Sequence, residues 1–293
     1  MSRQIVFAWE NTDVSTATAP ASSRSARQGW QALTLIAPLT ALWIAIIYAL
    51  PIIPTSGVQT TVHQLSAHAL IALGLWLGLE RSNLTPDQRR TLWLAVMIPD
   101  TLWFAVVWSA AVNGVFMTGA ASLPLLPAAI LLPVIVGVPL LLSRRLGQVL
   151  DAMPASWLVA LQLYRVFGSW FVASWLRGAA PVIPALPAGL GDILTGVFAV
   201  PAAIAVAAGT VQGRRAAIAW NLLGLTDFAI AITLGMLTTP GRFQLIVPAA
   251  SGFNAGIYPD VLTPAFVVPS SILLHALSLR QLLRKRRTRA RLL

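Results

Sequence analysis

Residues 214–237 read RRAAIAWNLLGLTDFAIAITLGML: two arginines, then 22 residues carrying one ionisable side chain, Asp227. At ~1.5 Å per residue such a run reaches ~33 Å as an α-helix, enough to cross a hydrocarbon core of ~30 Å. A helix closes its backbone hydrogen bonds internally, as lipid requires. A β-barrel would instead show ten-residue stretches alternating apolar and polar, which this run does not.

Seven further runs repeat the pattern. The spans are expected at Ala32–Leu50, Thr61–Leu79, Leu92–Val112, Leu123–Leu142, Ala155–Leu176, Pro187–Gly209, Ala216–Leu237 and Val261–Leu282. The fold class predicted is therefore an all-α membrane protein with eight transmembrane helices. Composition agrees: 57% of the 293 residues are hydrophobic and only 10% charged, with mean hydropathy +0.77. Soluble chains carry charge on about a quarter of their residues.

The basic residues set an orientation. Arg3, Arg24 and Arg27 precede the first span, and Arg81, Arg89, Arg90, Arg144, Arg145, Arg214 and Arg215 fall in the second, fourth and sixth loops. The C-terminal stretch RQLLRKRRTRARLL adds seven more, whereas the opposite side holds Arg177 and Arg242. The positive-inside rule then places both termini in the cytoplasm. Missing or inventing one span would put later basic loops on the wrong side. The net charge of +11 is explained by this asymmetry, so nucleic acid is not an expected partner. The bilayer is the expected partner, with anionic headgroups at the basic C-terminal tail. Oligomeric state is not encoded legibly.

The chain divides into a Ser/Thr/Ala-rich tail (1–30, expected disordered), a first four-helix unit (31–145), a second (146–283) and a basic tail (284–293). The two units are candidates for a tandem duplication. RRTLWLAVMIPD and RRAAIAWNLLGLTD each follow an arginine pair, and Trp93 precedes Asp100 as Trp220 precedes Asp227, both pairs offset by 127 residues. His68 falls near the register of Asp192. Two copies four spans apart would share an orientation and a midplane cleft.

An ionisable residue at mid-bilayer costs about 2.5 to 3.5 kcal/mol even on lenient insertion scales, so each needs a partner or a wet cavity. Arg165 lies near the centre of ALQLYRVFGSW, sharing a helical face with Gln162 and Ser169. Asp227 matches its depth, so the two are expected to form a buried ion pair. Asp100, behind Pro99, and Asp192, in PALPAGLGDILTG, are further acids for one arginine. Asp192 can alternatively cap a helix start, and the Pro/Gly-rich segment before it can enter as a half-helix. His275 and Asn221 lie at similar depth and are expected to hydrogen-bond across helices. The candidate binding residues are thus Arg165, Asp192, Asn221, Asp227, His275 and Asp100. Gly74 and Gly78 form a small-residue face suited to close helix packing.

Several chemistries are excluded. The chain has no cysteine, and His68 lies near the outer end of its span whereas His275 lies toward the inner side, which disfavours a bis-histidine haem. Its single lysine, Lys285, lies beyond the last span, leaving no buried amine for a retinal-type Schiff base. No GxSxG, HExxH, Walker or dinucleotide fingerprint occurs. No cofactor or metal is predicted. The Gly189–Gly191 fragment lacks the strand context a nucleotide loop needs.

The stretches YRVFGSW, ALPAGLGD, AWNLLGLTD and PSSILLHALSLRQL together resemble an uncharacterised group of bacterial integral membrane proteins, over roughly Ala155–Leu282. The resemblance implies an inner-membrane location and no activity. The leading functional expectation is translocation of a small solute or ion, with Arg165 holding an anionic group or serving as countercharge and Asp192 or Asp227 exchanging protons. A membrane-embedded enzyme or lipid- or quinone-binding protein, and an accessory scaffold subunit, are the alternatives.

Overall fold

The computed structural model describes residues 21–49, 57–117, 125–248 and 256–290, with side chains over 23–49, 63–117, 125–248 and 256–284. Every regular element among the described residues is helical. The first helix, α1 (Ala21–Ala49), begins inside the stretch expected as a tail, whose residues 1–20 lie outside the described ones. It is followed by α2 (Gly57–Glu80), α3 (Pro86–Val112) and α4 (Leu125–Leu142). A short amphipathic helix, α5 (Arg144–Ala152), buries Leu146, Val149 and Leu150.

The helix starts have local causes. Thr85 accepts from the Gln88 backbone N–H while the Gln88 side chain accepts from Thr85 N, a reciprocal cap with Pro86 in the first turn. Ser143 and Thr210 make simpler one-way caps, accepting from Leu146 N at 3.3 Å and Gly213 N at 3.0 Å.

The fifth expected span departs from the sequence reading. Ala155–Leu176 is helical but not one α-helix: α6 (Ala155–Leu161) passes into a 3-10 segment (Gln162–Gly168) and then α7 (Ser169–Leu176). A 3-10 helix has three residues per turn, so Gln162, Arg165 and Gly168 fall on one stripe, and all three are buried. The polar side chains and the glycine thereby point into the bundle together.

After it come α8 (Val182–Ala207), α9 (Val211–Thr238), a π-helical turn (Thr263–Val267) and α10 (Val268–Ala290). Among the described residues six stretches are long and apolar enough to cross a membrane: Ser23–Ala49, Pro86–Val112, Leu125–Leu142, Val182–Ala207, Val211–Thr238 and Thr263–Arg284. Of the other two expected spans, α2 has the length but carries His63, Gln64, Ser66 and His68 in its first half, and Ala155–Leu176 is split. The loop expected from Thr238 to Asp260 is irregular after α9, and its residues 249–255 lie outside the described ones.

Contacts between helix ends show the relative directions: α10 runs parallel to α4, α7 parallel to α1, and α2 antiparallel to α6. The end of α10 meets the end of α4 and α5, where Arg280 donates to Leu140 O at 3.1 Å and Arg284 pairs with Asp151 at 2.9 Å. Arg81, closing α2, lies over the Trp157 ring at the start of α6. At the opposite end Arg177, after α7, donates to Tyr48 O near the end of α1 at 3.0 Å. Gly74 and Gly78 permit the close packing expected of them: a Cβ on Gly74 would meet Leu161, and one on Gly78 would meet Met153.

Candidate functional site

Four segments deliver polar side chains to one level of the bundle. Asp192 lies ten positions after the start of α8, Asp227 eleven before the end of α9, and His275 twelve after Thr263. At ~1.5 Å per residue these are depths of ~15 to 18 Å from the same end. The 3-10 segment brings Arg165 between them.

Arg165 is 3% exposed and enclosed by partners. Its Nε donates to Asp192 Oδ1 at 2.8 Å, and Nη2 lies 2.7 Å from the same oxygen. Nη2 also donates to Asp227 Oδ2. On the other side Nη1 lies 3.3 Å from His275 Nε2, and the guanidinium carbon sits 3.9 Å from the Phe228 ring centroid. An ion pair out of water survives only when hydrogen bonds satisfy both partners, and this one is so supplied.

His275 is held from behind. Its Nδ1 is 3.0 Å from Asn221 Oδ1, and Asn221 Nδ2 donates to Ala217 O at 2.8 Å and Ser278 Oγ at 3.1 Å. If the Asn221 oxygen accepts, Nδ1 carries the proton and Nε2 faces Arg165 as an acceptor. Beside the cluster, Tyr164 and Ser271 hydroxyls are 2.5 Å apart, and Gln162 donates to Ser271 O at 3.0 Å.

Glycines make the room. A Cβ on Gly168 would strike the Asp192 carboxylate, one on Gly191 the Asp227 carboxylate, and one on Gly224 the His275 imidazole. Gly196 lets α8 approach the 3-10 backbone, with Val166 N only 2.6 Å from where its Cβ would stand. These glycines were not recognised as site residues from sequence. The available signal was spacing: Gly168, Gly191 and Gly224 each lie within three residues of a polar residue of the cluster.

Arg165, Asp192, Asp227, Asn221 and His275 are therefore brought together. Asp100 is not among Arg165's partners. It pairs with His68 Nδ1 at 2.9 Å, whose Nε2 lies 3.2 Å from Thr101 Oγ1, forming a separate polar group between α2 and α3. Asp192 does not cap its helix either, because α8 starts more than two turns earlier, at Val182. That segment is a single helix through Asp192, interrupted only at Ile183, so the half-helix expectation does not hold there.

The cluster carries one guanidinium against two carboxylates, leaving one formal negative charge for a proton or a small cation to neutralise. Ser169 Oγ, Thr195 Oγ1 and Gln162 Oε1 are buried near it in sequence without a hydrogen-bond partner. Ser169 follows Arg165 by four residues, Thr195 follows Asp192 by three, and Gln162 precedes Arg165 by three. Among the described residues no group of histidines and acids is arranged to hold a metal ion.

Residues 123–283 match the family model described as a domain of unknown function, DUF8737. The chain belongs to this family. The DUF8737 region contains every residue of the Arg165 cluster, whereas His68 and Asp100 precede it. No curated protein and no solved structure matches the chain.

Proposed function

We propose that this protein spans the bacterial inner membrane eight times, with both termini in the cytoplasm, and translocates a proton or small cation through the Asp192–Asp227 pair. The observation that carries this reading is the sharing of one guanidinium by two carboxylates at matched depth. A third, mobile positive charge completes neutrality there, and the unpartnered oxygens of Ser169, Thr195 and Gln162 offer it further ligands. An anionic solute at Arg165 fits less well, because the guanidinium is already engaged by both acids.

A repeated tryptophan contact supports duplication of a four-helix unit. Trp93 donates from α3 to Ala72 O of α2 at 2.9 Å, and Trp220 donates from α9 to Thr195 O of α8 at 3.0 Å. Donors offset by 127 residues thus meet acceptors offset by 123. The basic C-terminal tail fits an electrostatic contact with anionic headgroups.

The test is ion flux into proteoliposomes containing the purified chain, followed with proton- and sodium-sensitive dyes. Asp192→Asn and Asp227→Asn should each lower flux about tenfold or more, the equivalent of about 1.4 kcal/mol in ion binding. Asp100→Asn, outside the cluster, should leave it unchanged. Flux insensitive to both cluster variants would remove this site from the pathway.

A second reading is favoured by the near-complete enclosure of Arg165: the cluster locks helices in a non-catalytic scaffold subunit. Absence of flux, with a charge-swapped Arg165→Asp, Asp227→Arg chain still co-purifying with its partners, would select that reading.

A further inference from the structure

Away from the charged cluster, on the opposite wall of the 3-10 segment, lies an open apolar groove of about 670 Å³ between α1, α2, α6 and α8. Its volume falls in the range of small-molecule sites, about 300 to 1,000 Å³. Ile36, Leu39 and Trp43 form the α1 side, and Ala160, Leu163 and Phe167 line the opposite wall. These walls belong to segments that lie in hydrocarbon on the eight-span reading, so the medium competing for the groove is acyl chain, not water.

Its length and its charge identify a more specific occupant. Along the wall from Ser156 to Phe167 the chain advances eleven residues, roughly 17 to 22 Å at helical rises. That is about half of a bilayer, one leaflet and its headgroup boundary. At the Ser156 end, the basic end of the bundle, the exposed Arg81 guanidinium lies over Trp157, 4.3 Å from the ring centroid, and Trp157 itself lines the groove. Among the described residues the Arg81 guanidinium makes one long hydrogen bond, to Leu77 O at 3.4 Å, which leaves its fork available for a phosphate.

We propose that this groove holds one acyl chain of an anionic glycerophospholipid whose phosphate is bound by Arg81 beside Trp157. The chain occupies the apolar wall down to Phe167, and the headgroup stays at the interface, where Ser156 adds a hydroxyl. This site is separate from the Asp192–Asp227 pair and from the basic C-terminal tail.

The full-length chain, purified in mild detergent, is titrated with phosphatidylglycerol and with phosphatidylethanolamine and the bound lipid counted by native mass spectrometry. One phosphatidylglycerol is expected to bind per chain in preference to phosphatidylethanolamine. Arg81→Gln should weaken that binding about fivefold, the effect of one basic residue near an anionic lipid, and Arg81→Lys, which keeps the charge but not the fork, should fall between Arg81→Gln and the unaltered chain. Ala160→Trp, which fills the groove, should abolish it. Leu39→Trp fills it from the exposed α1 wall and serves should Ala160→Trp fail to fold. Equal binding of both lipids, or binding unchanged by Arg81→Gln and by a folded groove-filling variant, overturns the proposal.

Discussion

Asp192 is gripped by Arg165 through two nitrogens on a single oxygen: Nε at 2.8 Å and Nη2 at 2.7 Å from Oδ1. Nη2 serves Asp227 as well, so one side chain from the 3-10 segment ties α8 to α9. Removing the shared partner leaves two acids, Asp227 buried and Asp192 half-buried, without their counter-ion.

Arg165→Met is therefore expected to lower stability by about 3 to 5 kcal/mol, the loss seen when one partner of a buried ion pair is removed. The triple variant Arg165→Met, Asp192→Leu, Asp227→Leu should recover most of that loss while abolishing any ion flux. Thermal unfolding of the detergent-solubilised chain reads the first effect and the proteoliposome assay the second. A triple variant no more stable than Arg165→Met would show that the lost interaction is not the ion pair.

Gly191→Ala and Gly224→Ala should each destabilise by about 1 to 3 kcal/mol, because the added methyl drives the Asp227 carboxylate or the His275 ring out of its hydrogen bonds. Gly235, on the same helix as Gly224, has nothing within 4 Å of its Cβ position. Gly235→Ala should be neutral or stabilising by up to about 1 kcal/mol through helix propensity. Equal unfolding midpoints for the three variants would contradict the packing.

The absence of cysteine gives a clean background for the orientation test. Asn83→Cys, in the exposed turn between α2 and α3, should react with a membrane-impermeant maleimide only after the cytoplasmic face is opened. Arg242→Cys, past the end of α9, should react in intact spheroplasts. The reverse pattern would invert the topology.

Much of the fold was legible from the solvent it implies. Long runs without charge require self-satisfied helices, and that argument located α3, α4, α8 and α9, with starts of α3, α8 and α9 five or six residues later than observed. It failed at Ala155–Leu176, because hydropathy does not record how many residues make a turn. The candidate site was legible where depth alone decides. Arg165 and Asp227 match in register, as do Asn221 and His275, and both pairs meet. Asp100 was drawn to the wrong arginine because depth says nothing about rotation around the bundle, and His68 on the neighbouring helix is closer to hand. Pro and Gly in PALPAGLGD suggest in isolation a helix start near Asp192, whereas α8 continues through them, its Pro187, Gly189 and Gly191 buried or half-buried against neighbouring elements.

The run at residues 214–237 shows where the division falls. Its length, apolarity and preceding arginine pair fix a long apolar helix with an acid in its middle, since these depend only on the chain and on the cost of an unpaired backbone in lipid. Which side chain neutralises that acid depends on contacts between residues 62 positions apart in sequence. Those contacts were set by the 3-10 turn that swings Arg165 inward and by glycines that let three helices close around it. They are properties of packing, and only the tertiary structure decided them.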